Sequence, residues 1–231
     1  MAQHLSDEEQ LESLKRWWKE NGAQLLIMVV VVVGGWFGWQ QWQDYREQTA
    51  AAASAIYSDI MELSGQRPVE TLTQEDKTRL QDLAESLRID YKGSQYAQYA
   101  NMMLARMAVG DDELGKAAEL LQQIIDTSDD AELANIARIR LVRVEIAQDN
   151  YPRALEILDV DVPSAMTSLF AELRGDVYYY LEDFAAARAA YQSALTGLVE
   201  NGDIARPLLE FKLNRVLDGE LPEPAKAKEE S

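Results

Sequence analysis

The sequence predicts an all-α protein, a single N-terminal transmembrane helix followed by a superhelix of helical hairpins. Three observations carry this. Fifteen residues, Leu25 to Trp39, contain no charge and no polar side chain. Beyond residue 43, apolar residues recur at intervals of three and four with no alternation of period two, the signature of amphipathic helices. Short turn signals separate these segments, and the last three pairs share a pattern, as stacked repeats do.

The span comes first. From Ala23 to Trp42 there are 20 residues, which as a helix cover about 30 Å, the thickness of a bilayer's hydrocarbon core. Lys15, Arg16 and Lys19 precede it; Asp44, Arg46 and Glu47 follow. A cleaved signal peptide would share the basic start, but this run ends in Trp36, Trp39 and Trp42, and the small residues Ala50 to Ala53 come only after charges. A soluble core helix would rarely place five valines, Val29 to Val33, beside a tryptophan cluster. A retained anchor fits best, with the indoles at headgroup level. Three basic residues stand close before the span and only Arg46 close after it. That bias makes residues 1–22 a cytoplasmic stub, 23–42 the transmembrane helix, and the rest a domain across the membrane, periplasmic in a bacterium with two membranes. The absence of cysteine is compatible with an oxidising compartment.

Within the stub, Ser6-Asp7-Glu8-Glu9 has the form of a capping box. Leu11, Leu14, Trp17 and Trp18 follow at helical spacing. This predicts a short amphipathic helix leading to Asn21-Gly22, resting at the membrane interface. Net charge is −18; the first 22 residues hold five acids and three bases, leaving 35 acids against 19 bases. Such a domain repels nucleic acid and anionic headgroups. The plainest role of the acidity is solubility.

Residues 43–64 continue the membrane helix outward, with Ala53, Ile56, Tyr57, Ile60 and Met61 on one face, until Gly65-Gln66-Arg67-Pro68 breaks it. Thr73 starts a helix with Asp76 at the capping-box position; it runs to Tyr91, and Gly93 ends it. Further helices are expected near 94–109, 113–127, 130–148, 151–159, 165–181, 184–197 and 203–217, joined by short hairpin connections. The tail, 220–231, is too polar and proline-rich to pack and is expected to be disordered. The folded domain is therefore 43–219.

The pairs carry a repeat of tetratricopeptide type. The last copy has Gly175-Asp176-Val177-Tyr178, then Phe184, Ala187, Tyr191 and Ala194-Leu195. Small residues at Gly175, Ala187 and Ala194 let two helices approach, while Tyr178, Phe184 and Tyr191 fill the gap between hairpins. Tyr151, Ala154 and Leu158 precede Phe184, Ala187 and Tyr191 by 33 residues each. Leu114, Ala117 and Leu121 lie 37 further back. The first helices of such hairpins line a concave surface. On this register that surface includes Tyr99, Met102, Arg106, Ile136, Ile139, Arg143, Leu169, Glu172, Asp176, Tyr179 and Tyr180. The mixture suits an extended or helical protein segment better than a small metabolite. Glu145 falls at a position the alignment would bury, so a one-residue shift of the middle unit stays open.

Catalytic patterns are missing. No phosphate-binding loop, dinucleotide fingerprint or metal-protease motif occurs. The single histidine is His4, and there is no cysteine, so a zinc site or a Ser-His-Asp arrangement in the domain has no ligands to use. The pairs Asp111-Asp112 and Asp129-Asp130 read as helix-start acids favoured by the dipole rather than as calcium ligands or a catalytic couple. No cofactor is expected.

Several stretches together resemble the YfgM family, ancillary subunits of the bacterial SecYEG translocon. They are Leu14-Lys15-Arg16-Trp17-Trp18-Lys19-Glu20-Asn21-Gly22, Gly34-Gly35-Trp36-Phe37-Gly38-Trp39, Ala137-Arg138-Ile139-Arg140-Leu141, Ala171-Glu172-Leu173-Arg174-Gly175-Asp176 and Ala185-Ala186-Ala187-Arg188-Ala189-Ala190-Tyr191. The resemblance implies a single-pass inner-membrane protein with a periplasmic tetratricopeptide-like domain. It also implies association with SecYEG and with the membrane-anchored periplasmic chaperone PpiD, in passing newly translocated proteins to periplasmic chaperones. A link to a cytoplasmic stress-response regulator, through the stub, is implied as well. The competing class is an envelope scaffold that self-associates through the 43–64 helix or binds cell-wall or outer-membrane biogenesis factors.

Overall fold

The computed structural model describes residues 2–64, 72–198 and 205–218. Among them the elements are α1 (Ala2–Ser64), α2 (Gln74–Asp90), α3 (Gln95–Gly110), α4 (Leu114–Thr127), α5 (Ala131–Ala147), α6 (Tyr151–Leu158), α7 (Ser164–Tyr180), α8 (Phe184–Thr196) and α9 (Arg206–Asp218), with no strand among the described residues. The all-α expectation holds, and helix ends fall within a few residues of those read from sequence. The expected break at 65–68 and the expected disordered tail at 220–231 lie outside the described residues. Packing separates Met1–Ala55 from Ile56–Ser231.

In the first unit the backbone is helical from Ala2, so Ser6-Asp7-Glu8-Glu9 lies inside the helix and does not begin it. Asn21-Gly22 makes no boundary either. The Asn21 amide donates to the Trp17 carbonyl at 3.1 Å, and the Trp18 indole covers Gly22 closely. A helical glycine costs about 1 kcal/mol against alanine, which the helix-forming residues around it absorb. The apolar run has nothing over it: Leu25 to Val33, Trp36, Phe37, Trp39 and Trp42 are all exposed. A helix this long and apolar fits a membrane span. Trp39 and Trp42 lie 5.2 Å apart by ring centroids, and the Arg46 guanidinium sits over Trp42 at 4.7 Å, an arrangement suited to an interfacial belt.

In the second unit each helix packs on its chain neighbours from α2 to α9. Ile60, at the end of α1, is buried, and Tyr57 lies against the rings of Tyr96 and Tyr99. Met61 is 41% exposed and stands off the face on which it was expected. Four helices begin at side-chain caps. Thr73, Ser94, Asp130 and Asp183 accept from backbone N–H groups in the first turn that have no intrahelical partner.

The three hairpins α3–α4, α5–α6 and α7–α8 close by one turn geometry. Asp112, Asp149 and Glu182 have φ of 60°, 58° and 60°. In each turn the N–H of the next residue, Glu113, Asn150 or Asp183, donates back to the carbonyl of Ala108, Glu145 or Tyr178 at 2.7, 2.8 and 2.9 Å. This six-to-one bond after a left-handed residue is a Schellman closure. The left-handed positions are separated by 37 and then 33 residues, the offsets read from the apolar pattern. The middle register therefore needs no shift. Glu145 is buried, as the alignment required, and its carboxylate accepts from the Asn150 amide at 2.8 Å. Asp111 and Asp112 end α3 rather than start α4, a correction to their reading, while Asp130 does cap α5.

The register brings equivalent side chains into the core. Ala117, Ala154 and Ala187 are fully buried, as are Leu121, Leu158 and Tyr191 to within a few per cent. Alanine allows close helix approach; the larger residue fills the space beside it. In the last hairpin the Tyr191 ring lies directly on Gly175, and its hydroxyl donates to Asp176 Oδ1 at 2.9 Å. A Cβ at residue 175 would fall inside that ring, which its hydrogen bond and burial hold in place. Gly175→Ala should therefore lower stability by about 1–3 kcal/mol, as overpacking does. Gly115, on α4, has open space around its Cα, so Gly115→Ala should be neutral or stabilising. Thermal melts of both variants in detergent, followed by circular dichroism, check this; equal melting temperatures would contradict the packing.

Candidate partner-binding groove

The hairpin turns place α3, α5 and α7 in register, so equivalent repeat positions form rows along the surface they were expected to line. Tyr99, Ile136 and Leu169 form one row; Met102, Ile139 and Glu172 the next; Arg106, Arg143 and Asp176 the third. Two adjoining hollows lie along this surface. One, of about 340 Å³, is lined by Met102, Ala105, Val109, Leu114, Arg106, Arg140 and Arg143 among others. The other, of about 320 Å³, is lined by Arg143, Asp176, Tyr179 and Tyr180 together with Leu208, Phe211, Lys212 and Arg215 of α9. Arg143 belongs to both.

Six of the eleven residues expected in a groove thus line these hollows: Met102, Arg106, Arg143, Asp176, Tyr179 and Tyr180. Tyr99 does not; its ring packs 5.8 Å from Tyr57. Ile136 and Leu169 are half-buried, and Ile139 is buried between hairpins. Tyr179 is only 4% exposed, with its ring against Tyr180 and Phe184, so it forms a wall rather than open surface. Tyr180 remains 45% exposed and stacks on Tyr151 at 5.9 Å. The Tyr151 phenol donates to Asp149 at 2.7 Å, and that bond first, then burial, pushes it up to about 12.

What sequence reasoning missed is where α9 lies. Its stripe of Leu209 and Val216 is buried in the core of the last hairpin. That docking sets Lys212 over α7, where its ammonium donates to Glu172 Oε1 at 2.6 Å and to Asp176 Oδ1 and Oδ2 at 2.7 and 2.8 Å. Two acids one turn apart on a repeat's inner face were the available signal, since they require a cation if α9 covers them. Burial raises the Asp176 carboxyl, against the pull of Lys212 and Tyr191. Burial, then Asp176, drives the Tyr191 phenol far up. Burial alone would lower Lys212, but Asp176 and Glu172 outweigh it and raise the ammonium above 10.5. Arg140 is lowered, by burial first and then by Arg106 and Arg143. Chemically, the surface offers guanidinium groups beside apolar side chains, a set that binds carboxylates and aliphatic groups. Among the described residues no group of acids or histidine is placed to hold a metal ion.

The sequence profile of the family described as tetratricopeptide repeat-like domain matches residues 15–218. The chain belongs to this family. Curated relatives bear the name ancillary SecYEG translocon subunit. The Escherichia coli protein is 29% identical over 91% of this chain and 97% of its own length. The Haemophilus influenzae protein is 26% identical over 94% and 100%, and that of Neisseria gonorrhoeae 26% over 93% and 99%. The resemblance read from the sequence is borne out by these matches, which run through the span and the hairpins alike. No solved structure matches the chain.

The Lys212 cluster has a pH signature. A raised ammonium contributes its full stabilisation below the unfolded value of 10.5 and loses it as pH rises through the folded value. Lys212→Met leaves Asp176 and Glu172 without their cation and should cost about 2 kcal/mol at neutral pH, less than a fully buried pair. Urea midpoints of wild type and variant should converge above pH 10.5; a gap that stays constant with pH would contradict the assignment.

Proposed function

We propose that this chain is a membrane-anchored, non-enzymatic adaptor of the Sec translocon whose repeat surface holds a partner protein. The observation that carries the reading is the match along nearly the whole chain to proteins named as translocon subunits. The exposed apolar helix and the groove on α3, α5, α7 and α9 support it. Anchoring confines the domain near other membrane complexes and raises its effective concentration there, so weak contacts suffice. In this reading the basic bias before the span keeps the N-terminus cytoplasmic and the repeat domain periplasmic. The partners are the SecYEG channel and the membrane-anchored chaperone PpiD. The service is the transfer of newly translocated chains to periplasmic chaperones. The stub is left to contact a cytoplasmic regulator.

Site-specific photocrosslinking from Tyr180 and Val109, both exposed at the groove, tests the partner. In intact membranes the adducts should contain translocon subunits or the anchored chaperone. Adducts made only of a second copy of the chain, or of cell-wall enzymes, would replace the adaptor by the envelope scaffold. Orientation is read separately: protease added to spheroplasts should digest the hairpin domain, and its survival behind an intact bilayer would invert the topology.

A further inference from the structure

The charge of the groove contradicts the charge of the chain. The whole sequence has 40 acids and 22 Lys and Arg. The charged residues lining the two hollows are Arg106, Arg140, Arg143, Lys212 and Arg215, against the single acid Asp176. Asp176 is itself held by Lys212 and Tyr191, and Lys212 is taken by Asp176 and Glu172, so Arg140 and Arg143 carry the open charge. Arg140 and Arg143 have no carboxylate within ion-pair distance among the described residues. Arg106 and Arg143 occupy the same repeat position, and Arg140 precedes Arg143 by one turn on α5. Burial first, and then the neighbouring Arg106 and Arg143, lowers the affinity of Arg140 for its own proton. Clustering like charges in this way raises the folding free energy unless a counter-charge arrives.

We infer that the groove takes an acidic, amphipathic protein segment, its carboxylates on Arg140 and Arg143 and its aliphatic side chains on Met102, Val109 and Leu114. This rests on the adaptor reading and names the chemistry of the segment bound. Guanidinium forks pair carboxylates in two-point geometry. The exposed Val109, and Leu208 and Phe211 of α9, supply apolar surface on either side of the arginines. Shape separates a peptide from the other source of negative charge, a membrane of anionic lipid. The basic residues line hollows in an otherwise acidic chain. A broad anionic bilayer faces the acid excess of the whole chain, 40 Asp and Glu against 22 Lys and Arg, whereas a narrow segment meets mainly the hollow.

The test uses the full chain in nanodiscs of zwitterionic lipid and fluorescein-labelled peptides read by anisotropy. One peptide carries glutamates with leucines at helical spacing; its partner has every glutamate replaced by lysine. The acidic peptide should bind about tenfold or more tighter, and weaken with added salt as exposed ion pairs do. Arg140→Glu with Arg143→Glu should remove that preference or reverse it toward the lysine peptide, with unchanged circular dichroism. Reversal cannot come from misfolding, so it keeps the test sharp. Equal binding of both peptides, or acidic binding untouched by the double variant, overturns the inference. So does a preference for vesicles containing phosphatidylglycerol over the acidic peptide. Translocon adducts from Tyr180 that persist while the charge preference is absent would overturn the segment chemistry alone; loss of both would overturn the adaptor reading with it.

Discussion

Each hairpin of this protein closes on one residue held in the left-handed region, and the surface geometry follows from that closure. An L-residue there costs about 1 kcal/mol or more. Two backbone hydrogen bonds at each turn offset the cost by satisfying carbonyls at the end of one helix. The same bonds fix where the next helix begins. Because Asp112, Asp149 and Glu182 do this alike, the first helices align position by position despite loops and inserts of different length. Without that alignment Arg106 and Arg143 would not share a row, and the groove would have no consistent lining.

The packing beneath the groove uses small and large residues in alternation. Alanines at the seam let paired helices approach, and Tyr191 fills the space that Gly175 leaves. In the last hairpin the polar tip of Tyr191 is carried into the core and meets Asp176, which in turn needs Lys212. Helix α9 therefore does two things at once. It buries Leu209 and Val216, which closes the apolar end of the stack. It also partly neutralises the acidic surface of α7 by setting Lys212 against Glu172 and Asp176, and it adds Arg215 to the end of a groove that Arg106 and Arg143 begin.

Charge and location fit together in this arrangement. A chain of net charge −18 stays soluble and repels phosphate polymers. Arg140 and Arg143, set within it without a carboxylate partner among the described residues, make a local exception to that repulsion. Anchoring lets such contacts be weak individually. The relatives' name, ancillary SecYEG translocon subunit, fits a Sec-associated adaptor, for which anchoring raises the effective concentration of the domain beside its complex.

The sequence by itself determined the span, the helices, the hairpin pairing and even the 37- and 33-residue offsets, because hydrophobic period and turn residues are local properties of the chain. It also put Arg106 and Arg143 at equivalent repeat positions, and both line one hollow. It could not tell Tyr179 from Tyr180. Adjacent residues on a helix diverge by about 100°, and only packing on Phe184 decides which is wall and which is opening. Met61 failed for the same reason: it shares an apolar type with Ile60 but not its side of the helix. The site of α9 lay beyond any local signal, since Lys212 meets Asp176 across 36 residues of chain. Long-range docking is settled by which apolar stripe covers which, and the tertiary structure alone shows that this cover gives the two acids of α7 their cation.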